Sequence, residues 1–175
     1  MICPDCKAEV CFECGYCDCK KTPAVIVDID GTLANIDHRR HLVEKDKKEW
    51  EKFKQEIIND RPNQWCRILC CCISAPPIAT YDPIHILFVT GREKKYKPIT
   101  ELQIKDWIDP DYYCLFTRKD NDFRQDTEIK REIYQEKIKD RYNIIFAIDD
   151  NAEIVELWRS LGIATLDCAG YKRNS

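Results

Sequence analysis

The sequence predicts an α/β fold in which a doubly wound, mostly parallel sheet carries helices on both faces. Short apolar runs of strand length alternate with stretches of helical periodicity, and no internal repeat interrupts them. A chain of 175 residues, 44% of them hydrophobic, can bury one substantial core. We therefore expect one main domain at residues 22–175, preceded by a short cysteine-rich module at residues 1–21.

The predicted elements follow one another in chain order. The apolar run at 24–30 is closed by Gly31 and predicts a strand that is buried on both faces. Apolar residues at spacings of seven, three and four predict an amphipathic helix within 41–58, which Pro62 ends. The remaining predicted elements are strands at 84–89, 112–116, 144–148 and 163–166, and helices at 98–108, 129–138 and 154–161.

Composition bounds the partners only loosely. The formal net charge of −3 gives no global basic field, so contact with a nucleic acid would require a local patch. No stretch has the roughly 20 apolar residues of a membrane span, and the N-terminal residues do not resemble a signal sequence. We expect a cytoplasmic protein that does not contact membranes.

The cysteines fall into separate groups that need separate interpretations. Cys3 and Cys6 form one chelating pair and Cys11 and Cys14 form another, which is a pattern that a tetrahedral zinc site can use. Such a zinc ion would be structural or would serve partner binding, and free thiols are the alternative. The mid-chain group, Cys66 with 70–72, could be buried small apolar residues, a second metal site or acylated.

Polar side chains follow three of the predicted strands at their carboxyl ends. They are Asp28 and Asp30, Thr90, and Asp149 with Asp150. The carboxyl ends of parallel strands meet at one crevice, so these carboxylates should lie close together and repel one another unless a cation neutralises them. A hard divalent ion with oxygen ligands is implied, and Mg²⁺ fits a site of few carboxylates plus phosphate and water.

This combination of residues predicts phosphoryl transfer. Asp28 can attack phosphorus and form an acyl phosphate, while Asp30 can protonate the leaving oxygen and then activate water. Lys130 can supply positive charge to the phosphoryl group, and Thr90 can donate a hydrogen bond to it. Lys119 is a rival for the role of Lys130.

The order and context of these residues resemble the four signature motifs of the haloacid dehalogenase (HAD) superfamily of phosphatases. The resemblance covers about residues 23–170 and comprises the string 28–32, Thr90, Lys130 and the pair 149–150. It implies a HAD-like Rossmannoid fold, a phospho-aspartyl intermediate on Asp28 and a Mg²⁺ ion bound by Asp28, Asp30 and the pair 149–150.

A narrower resemblance is to the 3′-phosphatase domain of phage-type polynucleotide kinase-phosphatases. The segments that are similar are 28–34 followed by Arg39, 90–93, 126–134, 147–150 and 155–159. The likeness implies that Arg39, Gly91, Arg92 and Asp126 join the site. The arginines would grip phosphate, and Asp126 would orient them or Lys130. The intervals between the motifs are too short for a large lid domain. In relatives of this superfamily a small cap goes with an open site and a large substrate, and the resemblance implies the same here.

We therefore expect a Mg²⁺-dependent phosphomonoesterase that removes 3′-phosphate from nucleic-acid ends in repair. The alternatives are a nucleotidase or small-molecule phosphatase of the same superfamily, and a zinc-dependent binding protein on an inactive phosphatase scaffold. None of the five glycines belongs to a P-loop, so the kinase half is absent from this sequence. The partner we expect is a separate kinase or ligase. The lysines at 94, 95 and 97 could form a basic rim for the polynucleotide or be solvated loop charge.

Overall fold

A computed structural model of the chain describes residues 21–44, 47–75 and 83–169. The predicted zinc ligands Cys3, Cys6, Cys11 and Cys14 lie outside the described residues, as does nearly all of the predicted module at 1–21. The described strands are β1 (Thr22–Val27), β2 (Ala34–Asn35), β3 (Arg61–Pro62), β4 (His85–Glu93), β5 (Tyr113–Arg118), β6 (Tyr142–Asp149) and β7 (Thr165–Asp167). The described α-helices are α1 (Asp37–Glu44), α2 (Trp50–Gln55), α3 (Gln64–Ser74), α4 (Lys97–Trp107), α5 (Asp126–Ile133) and α6 (Ala152–Ser160).

Five strands form one parallel sheet in the order β5-β4-β1-β6-β7. β1 is central and pairs with β4 from Ala24–His85 to Val27–Phe88, and with β6 on its other side. The residues that follow β1 therefore lie between the carboxyl ends of two neighbouring strands. This arrangement confirms the predicted α/β class and the convergence of polar strand ends.

Helices cover both faces of the sheet, so the fold is doubly wound. On one face, alternate β1 residues such as Val25 and Val27 pack with Phe88 and with Cys66 and Cys70 of α3. On the other face lie the remaining β1 residues and the apolar sides of α5 and α6. This second core contains Ala24, Ile26, Ile129, Ile133, Ile154 and Trp158. The buried alternative thus holds for Cys66 and Cys70, whereas Cys72 is exposed.

The prediction of one helix within 41–58 was wrong. The segment contains the end of α1, the short helix α2 and a 3₁₀ turn at Glu56–Asn59. Its apolar spacing reflects packing around a cavity rather than against the sheet, and α2 has no buried residue. These pieces, with the small antiparallel pair β2-β3, form the predicted small cap between β1 and β4.

Local sequence explains where the helices beside the site begin. α5 starts with a capping box in which Gln125 and Glu128 satisfy each other's backbone N–H groups. The side chain of Asn151 caps α6 by accepting a hydrogen bond from the backbone N–H of Glu153 at 2.9 Å. Helix α3 was not predicted as a separate element. Among the helices of the described residues, none combines the length and apolar character needed to cross a membrane.

Candidate active site

Lys130 lies between two carboxylates at the centre of the sheet's carboxyl edge. Its Nζ is 2.6 Å from Oδ1 of Asp28 and 2.7 Å from Oδ2 of Asp149. Asp28 follows β1, Asp149 ends β6, and α5 places Lys130 over both strand ends. All three side chains are buried. The two carboxylates raise the pKa of Lys130 more than burial lowers it, so this amine is a permanent cation.

Three carboxylates gather at this point. Ligand oxygens of Asp28, Asp149 and Asp150 lie within 4.8 Å of one another. Burial and the neighbouring carboxylates raise the pKa of Asp28 despite Lys130, and burial together with Asp149 raises the pKa of Asp150 to about 6. This excess of buried negative charge, formed by hard oxygen donors, fits a Mg²⁺ ion. Asp30 was also a predicted ligand, but its carboxylate is not part of this group.

The Asp30 carboxylate instead faces two arginines. Arg92 donates hydrogen bonds from Nε and Nη2 to Asp30 at 2.9–3.2 Å, and Arg39 donates one from Nη2. Both arginines also bind Asp60, at 2.7 Å from Arg39 and 2.6 Å from Arg92. The four side chains form one network in which two guanidinium groups are held between two carboxylates.

This network keeps Asp30 ionised. Burial alone would raise its pKa, but the charges and hydrogen bonds of Arg92 and Arg39 outweigh that effect and lower the pKa to about 2. Arg92 is further held by Thr100 at 3.1 Å and by Gln103 at 2.8 Å. Because protein acceptors occupy their donors, the arginines orient Asp30 in this structure rather than presenting free guanidinium edges.

The structure brings the other predicted residues to the same edge, with altered contacts. Thr90 is fully buried, and its Oγ1 accepts a hydrogen bond from the backbone N–H of Arg92 at 3.2 Å. Asp126 was expected to orient Lys130 or the arginines at 39 and 92, but it accepts a hydrogen bond from Arg118. Gly91 lies against the carboxylate of Asp126, since a Cβ added at Gly91 would be 2.8 Å from Oδ2 of Asp126.

The two candidate lysines, Lys130 and Lys119, differ in their distance from the site. Lys130 is buried in the site, whereas the side chain of Lys119 is 74% exposed and pairs with Glu132. The predicted basic rim is partly neutralised, since Lys95 lies 3.4 Å from Glu93 and Lys97 lies 3.6 Å from Glu101.

Asp60 is the main site residue that sequence reasoning missed. It lies between the 3₁₀ turn and β3, where no periodic pattern or strand end marks it. Asn63 was missed as well; its amide donates to the backbone carbonyls of Gly31 at 3.2 Å and Thr32 at 2.9 Å, which supports the turn after β1. The only sequence signal for Asp60 was its position two residues before Pro62, and an acidic residue near a proline is too common to identify a site.

The site opens into a cavity of about 930 Å³. Its floor contains the carboxylates, Lys130 and the arginine network. Its walls come from the cap and from the loop between β5 and α5. Wall residues include Trp50, Phe53, Lys54, Tyr96, Phe123 and Arg124. The volume is at the upper end of the range for small-ligand sites, so it accommodates more than a phosphate group.

Comparison with known proteins identifies similar chains. Residues 22–171 match the family profile described as the Polynucleotide kinase PNKP phosphatase domain. A protein of Autographa californica nuclear polyhedrosis virus, assigned as a bifunctional polynucleotide kinase/RNA ligase, is 27% identical over 143 residues, which cover 82% of this chain.

Two solved structures have a similar fold. A chain in the structure of the Pnkp1/Rnl/Hen1 complex superimposes with a TM-score of 0.68, 26% identity and 86% coverage of this chain. A chain in the structure of the Pnkp1/Rnl/Hen1 RNA repair complex superimposes with a TM-score of 0.64, at 25% sequence identity and 92% coverage of this chain. The matched region spans 19% of the viral protein and 47% of each of these structural chains. The likeness therefore concerns one domain of larger proteins.

Proposed function

The chain belongs to the family of polynucleotide kinase phosphatase domains within the HAD phosphatases, and from this premise we propose that it removes 3′-phosphate from nucleic-acid ends. The observation that carries the proposal is the buried group of Asp28, Lys130 and Asp149 at the floor of a cavity large enough for a terminal nucleotide. A nucleophilic carboxylate, a fixed cation and a second carboxylate are the parts that phosphoryl transfer needs.

In the first step, Asp28 attacks the phosphorus through a carboxylate oxygen. The new bond joins Asp28 to phosphorus, and the bond between phosphorus and the 3′-oxygen breaks. The 3′-oxygen leaves with a proton and becomes the 3′-hydroxyl of the product. Lys130 offsets the charge of Asp28 and of the phosphoryl oxygens, which lowers the cost of bringing two anions together.

Asp30 is the residue that transfers protons to the leaving 3′-oxygen and from the attacking water. With a pKa of about 2 it is ionised in the free protein, which suits a base rather than an acid. A bound phosphate dianion adds negative charge beside Arg92 and Arg39, and this charge raises the proton affinity of Asp30. Asp30 can then take up a proton from solvent and deliver it to the leaving oxygen. After the 3′-hydroxyl product has left, the ionised Asp30 can take a proton from a water molecule. That water attacks the phospho-aspartate, and the bond between phosphorus and Asp28 breaks to release inorganic phosphate and free Asp28.

Asp28, Asp149 and Asp150 would hold Mg²⁺, which supplies positive charge to the phosphoryl oxygens. The backbone favours this arrangement, because Gly31 has φ of +92° and its missing side chain leaves the space that the Asp150 carboxylate occupies. Arg40 Nη2 also lies 3.7 Å from Oδ2 of Asp150.

The test is release of inorganic phosphate from four substrates: a 3′-phosphorylated oligonucleotide, its 5′-phosphorylated counterpart, a nucleoside monophosphate and an aryl phosphate. Each is assayed with Mg²⁺ and with chelator. We expect preference for the 3′-phosphorylated oligonucleotide and loss of turnover with chelator or in Asp28→Asn. Equal use of the nucleoside monophosphate would favour a nucleotidase or small-molecule phosphatase. No turnover by folded, Mg²⁺-loaded protein would favour the binding-protein alternative.

The covalent intermediate has a separate test. Enzyme quenched during turnover and treated with borohydride should carry a reduced side chain at position 28, detected by peptide mass spectrometry, because borohydride reduces acyl phosphates but not free carboxylates. A reduced site in Asp28→Asn, or none in the wild-type protein during rapid turnover, would contradict the proposed nucleophile.

The product, a 3′-hydroxyl end, is what a ligase requires, and the relatives are named for a polynucleotide kinase, an RNA ligase and an RNA repair complex. We propose that a separate kinase or ligase acts on the same ends in the cytoplasm. Zinc binding by Cys3, Cys6, Cys11 and Cys14 stays a prediction, and metal analysis of the purified full chain would test it.

A further inference from the structure

Two large aromatic side chains are exposed in the wall of the cavity. The side chain of Phe123 is 84% exposed and that of Trp50 is 50% exposed, and both line the space above Asp28. Single exposed apolar residues are normal on a protein surface. These two rings belong to separate segments of the chain and line the same cavity, where half or more of each residue is exposed.

The loop that carries Phe123 is held in a definite shape. Arg118 donates hydrogen bonds to the backbone carbonyls of Asp122 at 2.8 Å and Arg124 at 3.2 Å. Arg124 in turn pairs with Asp122 at 2.6 Å, so both neighbours of Phe123 are fixed. The ring is therefore presented to the cavity by an organised loop.

Trp50 is linked to the arginine network beneath the cap. Its ring meets that of Phe53 edge to face, with centroids 6.0 Å apart. The guanidinium of Arg39 lies 4.2 Å from the centroid of the same Phe53 ring. The Phe53 ring therefore lies between Trp50, which a ligand could contact, and Arg39, which donates a hydrogen bond to Asp30.

Glu93 joins the two walls. Its carboxylate pairs with Lys54 of α2 at 2.7 Å and accepts a hydrogen bond from the backbone N–H of Asn121 at 3.4 Å. Asn121 lies in the turn that precedes Phe123 by two residues. One buried carboxylate at the end of β4 thus sets the positions of both aromatic walls relative to the catalytic floor.

The charges in these walls are largely neutralised by one another. Lys54 is paired with Glu93, Arg124 with Asp122, and Arg118 with Asp126. Lys48, whose Nζ lies 5.5 Å from the centroid of the Trp50 ring, adds one cation beside this wall. Among the described wall residues few other cations are left to bind a phosphodiester backbone, although a polynucleotide bound through its backbone needs several. The flat faces of nucleobases, in contrast, match the exposed rings.

We propose that Phe123 and Trp50 stack on the unpaired bases at the 3′ end of a single-stranded nucleic acid. This inference rests on the proposed function and assigns its specificity to base stacking. Base–aromatic stacking is tolerant of sequence and is only available when the base has left a duplex. Binding should therefore favour unpaired ends of any sequence and should weaken only modestly as salt concentration rises.

The experiment measures equilibrium binding rather than turnover, so it is independent of the phosphatase activity. The full chain is titrated into single-stranded oligonucleotides that end in a 3′-hydroxyl and carry 2-aminopurine as the last base, and fluorescence quenching reports stacking. A matched oligonucleotide with abasic residues at the last two positions is titrated by anisotropy. Phe123→Ala should weaken binding of the base-containing oligonucleotide about 5- to 150-fold and abolish the quenching.

The same substitution should leave binding of the abasic oligonucleotide unchanged, and Phe123→Trp should restore both affinity and quenching. Trp50→Ala should act in the same direction. Tyr112→Ala is the matched control, since Tyr112 is a half-exposed aromatic residue that does not line the cavity. Equal losses on both oligonucleotides, or no loss with Phe123→Ala, would overturn the stacking proposal even if phosphatase activity is present. Base-dependent binding without any phosphatase activity would support stacking and reject the proposed function.

Discussion

Lys130 lies 2.6 Å from Asp28 although 101 residues separate them, and both side chains are buried. Lys130 is also 2.7 Å from Asp149, so one ammonium group serves two carboxylates. This ion pair joins Asp28, the proposed nucleophile that follows the central strand, to the helix α5 on one face of the sheet.

Lys130→Met tests this relationship. The variant leaves Asp28 and Asp149 buried beside each other without a cation, which costs about 3–5 kcal/mol of unfolding free energy. We expect activity to fall at least about 100-fold, since a fixed positive charge at the phosphoryl group is lost. Thermal unfolding should show a lower Tm, and Mg²⁺ should raise the Tm more than in the wild-type protein. Lys119→Met is the control, because Lys119 is exposed, and it should keep wild-type activity and Tm.

Asp60→Asn tests whether the arginines orient Asp30 or grip the phosphate. The substitution keeps the shape of Asp60 but removes the charge between Arg39 and Arg92. If the arginines mainly orient Asp30, kcat should fall about 10- to 100-fold with little change in KM, as is typical for loss of a supporting residue. A rise in KM at constant kcat would contradict this role. Asp37→Asn removes an exposed carboxylate of α1 and should change neither constant.

Gly31→Ala tests the close approach of the turn after β1 to Asp150, a proposed Mg²⁺ ligand. Both Gly31 and Gly162 have positive φ, at 92° and 79°, so alanine at either position costs about 1–2 kcal/mol in backbone conformation. Only at Gly31 would the new methyl group overlap the carboxylate of Asp150, whereas nothing lies within 4 Å at Gly162. We expect Gly31→Ala to require much more Mg²⁺ for half-maximal activity. Gly162→Ala should lower Tm without changing the Mg²⁺ requirement.

Glu93→Gln tests the link between the cap and β4 through its pH dependence. Burial would raise the pKa of Glu93, but the hydrogen bond and charge of Lys54 lower it below that of an unfolded glutamate, near 4.3. Glu93 therefore contributes stability above about pH 4.3, and this contribution disappears as pH falls through its lower folded pKa.

Urea unfolding measured between acidic and neutral pH should show the wild-type protein more stable than Glu93→Gln at pH 7. The difference should shrink as the pH falls below about 4. A difference that is constant with pH would mean that the carboxylate acts only by packing. Glu101→Gln is the control, since Glu101 is half exposed and meets Lys97 at 3.6 Å, and it should have little effect at any pH.

The sequence by itself determined the α/β class and the strand ends that form the floor of the site. Asp28, Thr90 and Asp149 could be found because buried parallel strands have a recognisable apolar pattern and their carboxyl ends must meet at one edge. That reasoning requires only local pattern and one topological rule. The choice of Lys130 over Lys119 came from the family resemblance, since nothing in the local sequence pattern distinguishes the two lysines.

Tertiary structure alone decided which charges pair and which aromatic rings face the cavity. Asp60 binds Arg39 and Arg92 because the irregular chain between α2 and β3 brings it there, and irregular backbone has no periodic signal in sequence. Asp126, the first residue of α5, pairs with Arg118 at the end of β5 rather than with Lys130, and this pairing depends on how the loop between the two elements folds. Glu93 links α2, which carries Trp50, to the loop that carries Phe123, through contacts that are distant in sequence. Periodicity records burial against a sheet, whereas the partners of a charged side chain are set by the folded paths of loops.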